Sequence, residues 1–396
     1  MTYKSISDHS FKNKTVLMRA DLNVPVQNGQ ITNKSRLERI KPTLDYLKDQ
    51  GAKIVLLSHF GRPKGQEDSS LSLEFMCSYL KDMCGGNVHF ASDCIGESTK
   101  SIISSAAFGD IVLLENARFH MGEARNDSEY AKRLSELADT YVNDAFSVSH
   151  RAHASVEAIT KFLPSYAGFL MNEELSALNQ ALEKPERPLL AIVGGSKIST
   201  KLDLLNNIIE KVDTLILGGA MANTFLYAQG HEMGASMCEK DMKDTALNIL
   251  SRAKDLNCTI LLPKDGVVAT KVERDVAHKT KNIADISVAE MMLDAGSASI
   301  EVFKDYISQS KTVLWNGPLG VFEVPPFDQG TNALATFAAE LNTQGKLDVI
   351  AGGGDTVAAL DHAGIKDKLT YVSTAGGAFL EWLEGKILPG VAALMG

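Results

Sequence analysis

The chain has 396 residues, 44% hydrophobic and 22% charged, with a formal net charge of −9 and a pI of about 5.6. That length suggests two domains, each with material for its own core. The acidic balance argues against general nucleic-acid binding, which needs a basic face to release counterions, and no apolar run approaches the ~18–20 residues of a membrane span.

Strand-like and helix-like segments alternate along the chain, which implies parallel sheets covered by helices. The opening MTYKSISDHS has no apolar stretch and is not a secretory signal. Val16–Arg19 reads as a strand leading into Asp21. Ser35 followed by Glu38 is a capping-box pattern. Behind it Leu37, Ile40, Leu44 and Leu47 share a helical face, and Pro42 predicts a kink or a fresh helix start. Ile54–Ser58 leads into His59 and Arg62, and Ile111–Glu115 into Arg118. Asn126–Asp139 spaces Tyr130, Leu134 and Leu137 at helical intervals. Asn143–Phe146 reads as a turn fixed by Asp144, and His150, Arg151 and His153 follow it. The His150/His153 pair lacks a nearby Cys or carboxylate to complete a zinc-like set. Asn172–Leu182 reads as a helix running into Lys184–Pro188, where the inter-domain connection is placed.

After that point similar strand-like runs end in glycine. Ile192–Val193 precedes Gly194–Gly195, Ile216–Leu217 precedes Gly218–Gly219, and Ile350–Ala351 precedes Gly352–Gly354. In open α/β sheets ligands bind beyond the carboxyl ends of the strands. The chain therefore holds two different anions, one on side-chain cations and one on backbone amides. The cations are Arg19, Arg36, His59, Arg62, Arg118, His150, Arg151 and His153. Each alone suits a solvated surface; their repeated placement after strands makes the case. Guanidinium forks hold phosphate and carboxylate bidentately. In the glycine half, Gly353–Thr356 opens a helical stretch, where free N–H groups receive phosphate. On pattern alone Asp355 is an N-cap or a carboxylate reaching a Mg2+ carried by a nucleotide. Lys197 and Lys201 share a face if their stretch is helical, or are two solvated lysines. The sequence contains neither a Walker A motif nor GxGxxG, which disfavours a P-loop kinase and a nicotinamide dehydrogenase. Five cysteines, odd in number and without a CxxC pair, read as reduced thiols of a cytosolic protein.

Taken together, these segments resemble phosphoglycerate kinases. The matches run in order through Arg19–Pro25, Ser58–Gly65, Leu114–Phe119, Val142–Phe146, His150–His153, Gly194–Lys201, Gly218–Phe225, Trp315–Glu323, Gly352–Thr356 and Ser373–Ala378. The resemblance implies an α/β protein of two domains, each a doubly wound parallel sheet flanked by helices, joined by a hinge helix. It implies a phosphoglycerate-binding domain over 1–170, a connecting helix over 171–186 and a nucleotide-binding domain over 187–378. The segment 379–396 would return to the first domain. It also implies reversible phosphoryl transfer between 1,3-bisphosphoglycerate and ADP, giving 3-phosphoglycerate and ATP with Mg2+, in a cytoplasmic monomer. A non-catalytic sugar-phosphate or nucleotide binding module is the alternative.

Carried over by position, Asp21, Leu22, Asn23, Arg36, His59, Phe60, Gly61, Arg62, Arg118 and Arg151 hold the phosphoglycerate. Lys197, Lys201, Gly296, Glu323, Gly353, Gly354, Asp355 and Thr356 hold the nucleotide, with Glu323 at the ribose and Asp355 at the metal. Three positions depart from the family pattern. Asp294–Ser297 stands where Asp-Ile-Gly-Pro is common, Ala375 replaces a glycine, and Phe60 replaces a leucine. The acceptor carboxylate is already deprotonated at neutral pH, so no general base is required. Arg36 and Lys201, one from each domain, are assigned to the transition state with the Gly353 and Gly376 amides assisting. Substrates then meet when the domains close about a hinge near Gly168–Glu174 and the chain's return near Phe379.

Overall fold

Short runs of aliphatic residues build the centre of the molecule. In the computed structural model, which describes residues 3–395, the described residues form two six-stranded parallel sheets. The chain divides into two units. One takes the chain up to Leu175 and again from Ile387; the other is Ser176–Lys386.

The first sheet has the order Val88–Ala91, Ile111–Leu114, Lys53–Leu57, Thr15–Arg19, Thr140–Asn143, Ser165–Ala167, with every pairing parallel. Strands of a sheet covered on both faces lose the polar alternation and read as continuous apolar runs. Alternate residues enter opposite cores. Val16, Met18, Ile54 and Leu56 join one, while Leu17, Val55, Leu57 and Tyr141 join the other. Each such buried aliphatic side chain contributes about 1.5–3 kcal/mol. The chain leaves Thr15–Arg19 toward Lys53–Leu57 on one side and later returns to Thr140–Asn143 on the other. That reversal opens a crevice at the strand ends.

The second sheet repeats the plan in the order Thr259–Leu261, Thr214–Leu217, Leu189–Val193, Thr312–Asn316, Asp348–Gly352, Tyr371–Ser373. Leu190, Ile192, Ile216, Val313, Trp315 and Ala351 meet in one core. The order reverses between Leu189–Val193 and Thr312–Asn316. The anticipated architecture of parallel sheets between helices is the one observed. Beside it lies a three-stranded antiparallel sheet that strand patterning did not anticipate, with Asp265–Ala269 between His278–Asn282 and Met291–Ala295. His278–Asn282 is polar throughout and mostly exposed, so it carries no apolar period to read.

Several local expectations are corrected. The helix Ser35–Asp49 begins after Lys34, not with Ser35 as its cap. Ser35 instead gives its N–H to Asn33 Oδ1 at 2.9 Å and its hydroxyl to the same oxygen. The helix runs on through Pro42 without a new start and buries Leu37, Ile40, Leu44 and Leu47 as the spacing predicts. The helix sought over 126–139 is Ser128–Ser135, because Asp127 accepts the Tyr130 N–H at 2.7 Å and caps it. The helix sought over 172–182 begins at Phe169. Buried Thr43 accepts the Phe169 N–H at 3.0 Å and buried Asp144 the Met171 N–H at 3.1 Å. These side chains supply what the first turn of a helix leaves unpaired. Gly194–Lys201 is loop rather than helix; the helix is Leu202–Ile208, with Lys201 at its cap. Lys197 and Lys201 therefore do not share a helical face.

Candidate active site

In the first unit, the loop after Thr15–Arg19 is folded by its own polar side chains. Asp21 Oδ1 accepts the Asn23 N–H at 2.9 Å, and Oδ2 accepts the Ser147 hydroxyl at 2.5 Å and meets Arg36 Nη1 at 3.0 Å. The same Arg36 nitrogen donates to the Asn23 carbonyl at 2.7 Å. One end of the guanidinium is thus fixed and the fork is aimed. Leu22 is buried, and its N–H goes to Ser58 Oγ at 2.9 Å. Asn23 Oδ1 accepts the Gly61 N–H at 3.0 Å. Asn116 grips Phe60 on both sides, taking its N–H at 3.2 Å and giving to its carbonyl at 2.6 Å. Gly61 O accepts from Arg118 Nη1 at 2.9 Å. Three neighbouring loops are tied into one surface.

Arg19 is not a ligand-facing cation. It is fully buried and spends its donors inside: Nε to Ser155 Oγ at 3.0 Å, Nη1 to Ala20 O, and Nη2 to His59 Nδ1 at 3.0 Å. Arginine only donates, so His59 Nδ1 accepts and the proton of the neutral ring sits on Nε2. Ser155 in turn gives its hydroxyl and its N–H to buried Glu123 at 2.6 and 2.9 Å. His153 Nδ1 stands 3.6 Å from Glu123 Oε1.

Burial, then Arg19, Arg118 and Arg36, hold His59 well below its ordinary 6.5. Burial pushes His153 down to about 4 against the pull of Glu123. Arg118 is lowered to about 10 by burial and by Arg19, Arg151 and Arg62. Arg36 and Arg118 are tethered through Asn23 and Gly61 to joined loops, beside His59. Arg62 and Arg151 are exposed. A small, highly charged anion relieves such a cluster.

In the second unit the site forms where the sheet order reverses. Gly194 lies so close to the next loop that a Cβ there would fall 1.8 Å from the Pro318 carbonyl. Only glycine permits that approach. Lys201 gives its ammonium protons to Gly194 O and Asn316 Oδ1 at 2.7 Å each, with Asn316 O at 3.4 Å. Burial lowers it to about 8, opposed by Asp355, so it remains mostly protonated at pH 7. Asn316 Nδ2 reaches on to Gly352 O at 2.9 Å. Gly353 has φ +101°, and a Cβ on it would sit 2.7 Å from Asn316 Nδ2. Gly354 and the exposed Asp355 open the helix Gly354–His362, and Gly354 faces open space. Thr356 is buried, and its hydroxyl oxygen accepts the Gly317 N–H at 2.7 Å. Gly376 opens the helix Gly376–Leu383, also with open space beside it.

Lys197 and Glu323 are exposed. The loop carrying Lys197 is held by Glu239, which accepts the Ser199 N–H at 3.0 Å and its hydroxyl at 2.5 Å. Gly296 precedes the helix Ser297–Gln309, whose first amides are already taken: Asp265 accepts from Ala298 at 3.0 Å and Ser299 at 2.7 Å. Gly296 gives its own N–H to Asp265 O at 3.0 Å. It can face a nucleotide only as a wall, not as an amide donor to phosphate.

The supporting polar residues Ser58, Asn116, Glu123, Ser147, Ser155 and Asn316 were not singled out from the sequence. Only Asn316 carried a usable signal, as a polar residue ending an apolar strand before Gly317–Pro318.

The chain matches the family described as phosphoglycerate kinase over residues 6–386. It is 54% identical to a phosphoglycerate kinase of Rhodospirillum centenum and 51% identical to one of Caulobacter vibrioides, in each case covering 100% of both chains. The solved phosphoglycerate kinase of Coxiella burnetii superposes with a TM-score of 0.93 at 42% identity over 99% of both chains. That of Pyrococcus horikoshii superposes with a TM-score of 0.80 at 28% identity, over 99% of this chain and 98% of the other. With both anion sites drawn from the motifs that the family shares in order, the chain belongs to the phosphoglycerate kinase family.

Proposed function

We propose that this kinase, which moves a phosphoryl group reversibly between 1,3-bisphosphoglycerate and ADP, divides its substrates between the two units by the type of anion site each builds. The observation that carries the division is the contrast between crowded guanidinium groups around His59 and glycine-lined helix starts beside Lys201. The first unit takes the three-carbon acid. Arg62, Arg118 and Arg151 hold its phosphate, with the His59 Nε2–H as a neutral donor. Asp21 accepts from its hydroxyl and the Asn23 side-chain NH2 donates to the same oxygen, while Leu22, Phe60 and Gly61 supply the walls and backbone beside it. The second unit takes the nucleotide. The first amides of Gly354–His362 receive phosphate, Lys197 and Lys201 add charge, Glu323 meets the ribose and Gly296 walls the base. Thr356 holds the glycine loop against Gly317.

The Asp355 carboxylate fits Mg2+ carried on the nucleotide, because that ion is bound through one or two carboxylates plus phosphates. Such an ion neutralises charge on the phosphate chain. The remaining work belongs to the side chains. Arg36, with one nitrogen tethered, offers the rest of its fork to the transferring group. Lys201 exchanges its long contact with Asn316 O for a phosphoryl oxygen. The Gly353 and Gly376 amides complete the cradle. Transfer is in line, onto a carboxylate oxygen that is already deprotonated and needs no base. The family resemblance carries the reading of a cytoplasmic monomer; among the described residues no helix is long and apolar enough to cross a membrane.

Incubation with Mg-ATP and 3-phosphoglycerate is expected to yield an acyl phosphate, trapped with hydroxylamine. Folded protein without turnover would favour a non-catalytic binding module instead.

A further inference from the structure

Asp294 has no part in either anion site, yet it is a carboxylate only 1% exposed near the end of the strand Met291–Ala295. Its Oδ1 accepts the Ala295 N–H at 2.8 Å and its Oδ2 the Gly330 N–H at 2.7 Å. Gly320 is pressed against it as well: a Cβ there would lie 2.4 Å from Oδ1, and one on Gly330 2.5 Å from the same oxygen. The carboxylate therefore touches the backbone at both ends of the segment 320–330, which carries the exposed Glu323. Around it the segment is fastened by Val321 N–H to Leu293 O at 2.9 Å and Leu319 N–H to Thr331 Oγ1 at 3.0 Å. Burial pushes Asp294 up to about 8 against the pull of the two amides, and Asp328 adds to the rise. A group so costly to ionise is a poor choice for simple packing, where an apolar side chain of the same size would serve.

We propose that Asp294 is a positioning residue for the nucleotide. By bonding Gly330 at one end of the 320–330 segment and packing against Gly320 at the other, it sets where Glu323 stands without touching the ligand. The inference rests on the reading of Glu323 as a nucleotide contact given above.

The test is steady-state kinetics on folded variants of the full chain with Mg-ATP and 3-phosphoglycerate. Asp294→Asn turns an amide NH2 toward a backbone N–H. The KM for ATP is expected to rise about tenfold, the scale of a buried N–H left without its acceptor. The KM for 3-phosphoglycerate and the saturated kcat should stay within about twofold. Glu323→Ala is expected to raise the KM for ATP similarly. On that background Asp294→Asn should add less than about threefold, because two residues acting through one contact are not additive. If Glu323→Ala leaves the KM for ATP unchanged, the reading of Glu323 fails and takes the proposal with it. If Glu323→Ala raises it while Asp294→Asn does not, or the two effects multiply in full, the proposal on Asp294 alone is overturned. Should Asp294→Asn not fold, Gly320→Ala keeps the carboxylate and drives a methyl group onto it. It is expected to give the same rise confined to ATP, and an equal rise in both KM values would overturn the proposal.

Discussion

On the function proposed above, the two units bind an anion in opposite ways on the same sheet plan. The first gathers guanidinium groups, where burial first and the neighbouring arginines second lower Arg118 to about 10, on a scaffold of Asp21, Asn23, Asn116 and buried Arg19. The second crowds its glycine loops together and leaves open space beside Gly354 at the start of the helix Gly354–His362. Side-chain forks read the shape of a small acid. Amides at a helix start accept any phosphate and leave selectivity to other contacts. A protein that must tell two phosphorylated substrates from each other gains by using both.

The comparison breaks most visibly at its two charged centres. Arg36→Ala or Lys201→Ala is expected to lower kcat at saturating substrates by at least about 100-fold, the scale of a lost preorganised charge contact. Near-normal turnover would remove either residue from the transition state. Arg118→Ala should act on one side only, raising the KM for phosphoglycerate about tenfold, as for a hydrogen bond to a charged group. If the nucleotide KM alone moved, the division of substrates would be wrong.

Acid should also separate the units. His153 has a folded pKa of about 4, below the ordinary 6.5, and His59 is shifted the same way. Between those values the unfolded chain binds more protons, so stability falls as pH drops from about 6.5 to 4. In Asp294 the shift is upward, to about 8, and its cost grows as pH rises from 3.8 through 8. Asp144, raised to about 6, acts in that second sense within the first unit. Urea melts of His153→Gln are therefore expected to show a shallower loss of stability on the acid side than the parent. An unchanged slope would mean the ring is not buried neutral. The smallest effect is reserved for Lys197→Ala. This exposed, screened charge should change the nucleotide KM by about twofold or less, the worth of a surface ion pair. A large change would mean the lysine is drawn inward when nucleotide binds.

What sequence pattern revealed, and what it missed, follows the range of the forces involved. Val16–Arg19 and Ile350–Ala351 were legible because burial on both faces leaves a local apolar signature. His278–Asn282 was not, since an exposed edge strand is defined by its partner. Ser35 and Glu38 made a capping pattern, but Asn33 took the hydrogen bonds first. Arg19 looked like its neighbours in the cationic set, and only the fold shows it turned inward. Glu123, Asn316 and Asp294 act through residues 32 or more positions away, beyond the reach of any local motif.

The arrangement of Arg19 and His59 has a consequence for solution chemistry. Because an arginine donates to Nδ1, the imidazole is held in one tautomer and delivers its other N–H while uncharged. If phosphoglycerate binds there as proposed, it finds a ready hydrogen-bond donor that needs no proton from the buffer. Over the neutral range the heat of binding at that ring should carry no contribution from buffer ionisation, and the acid's hold on it should be indifferent to the small pH drifts of a working cell.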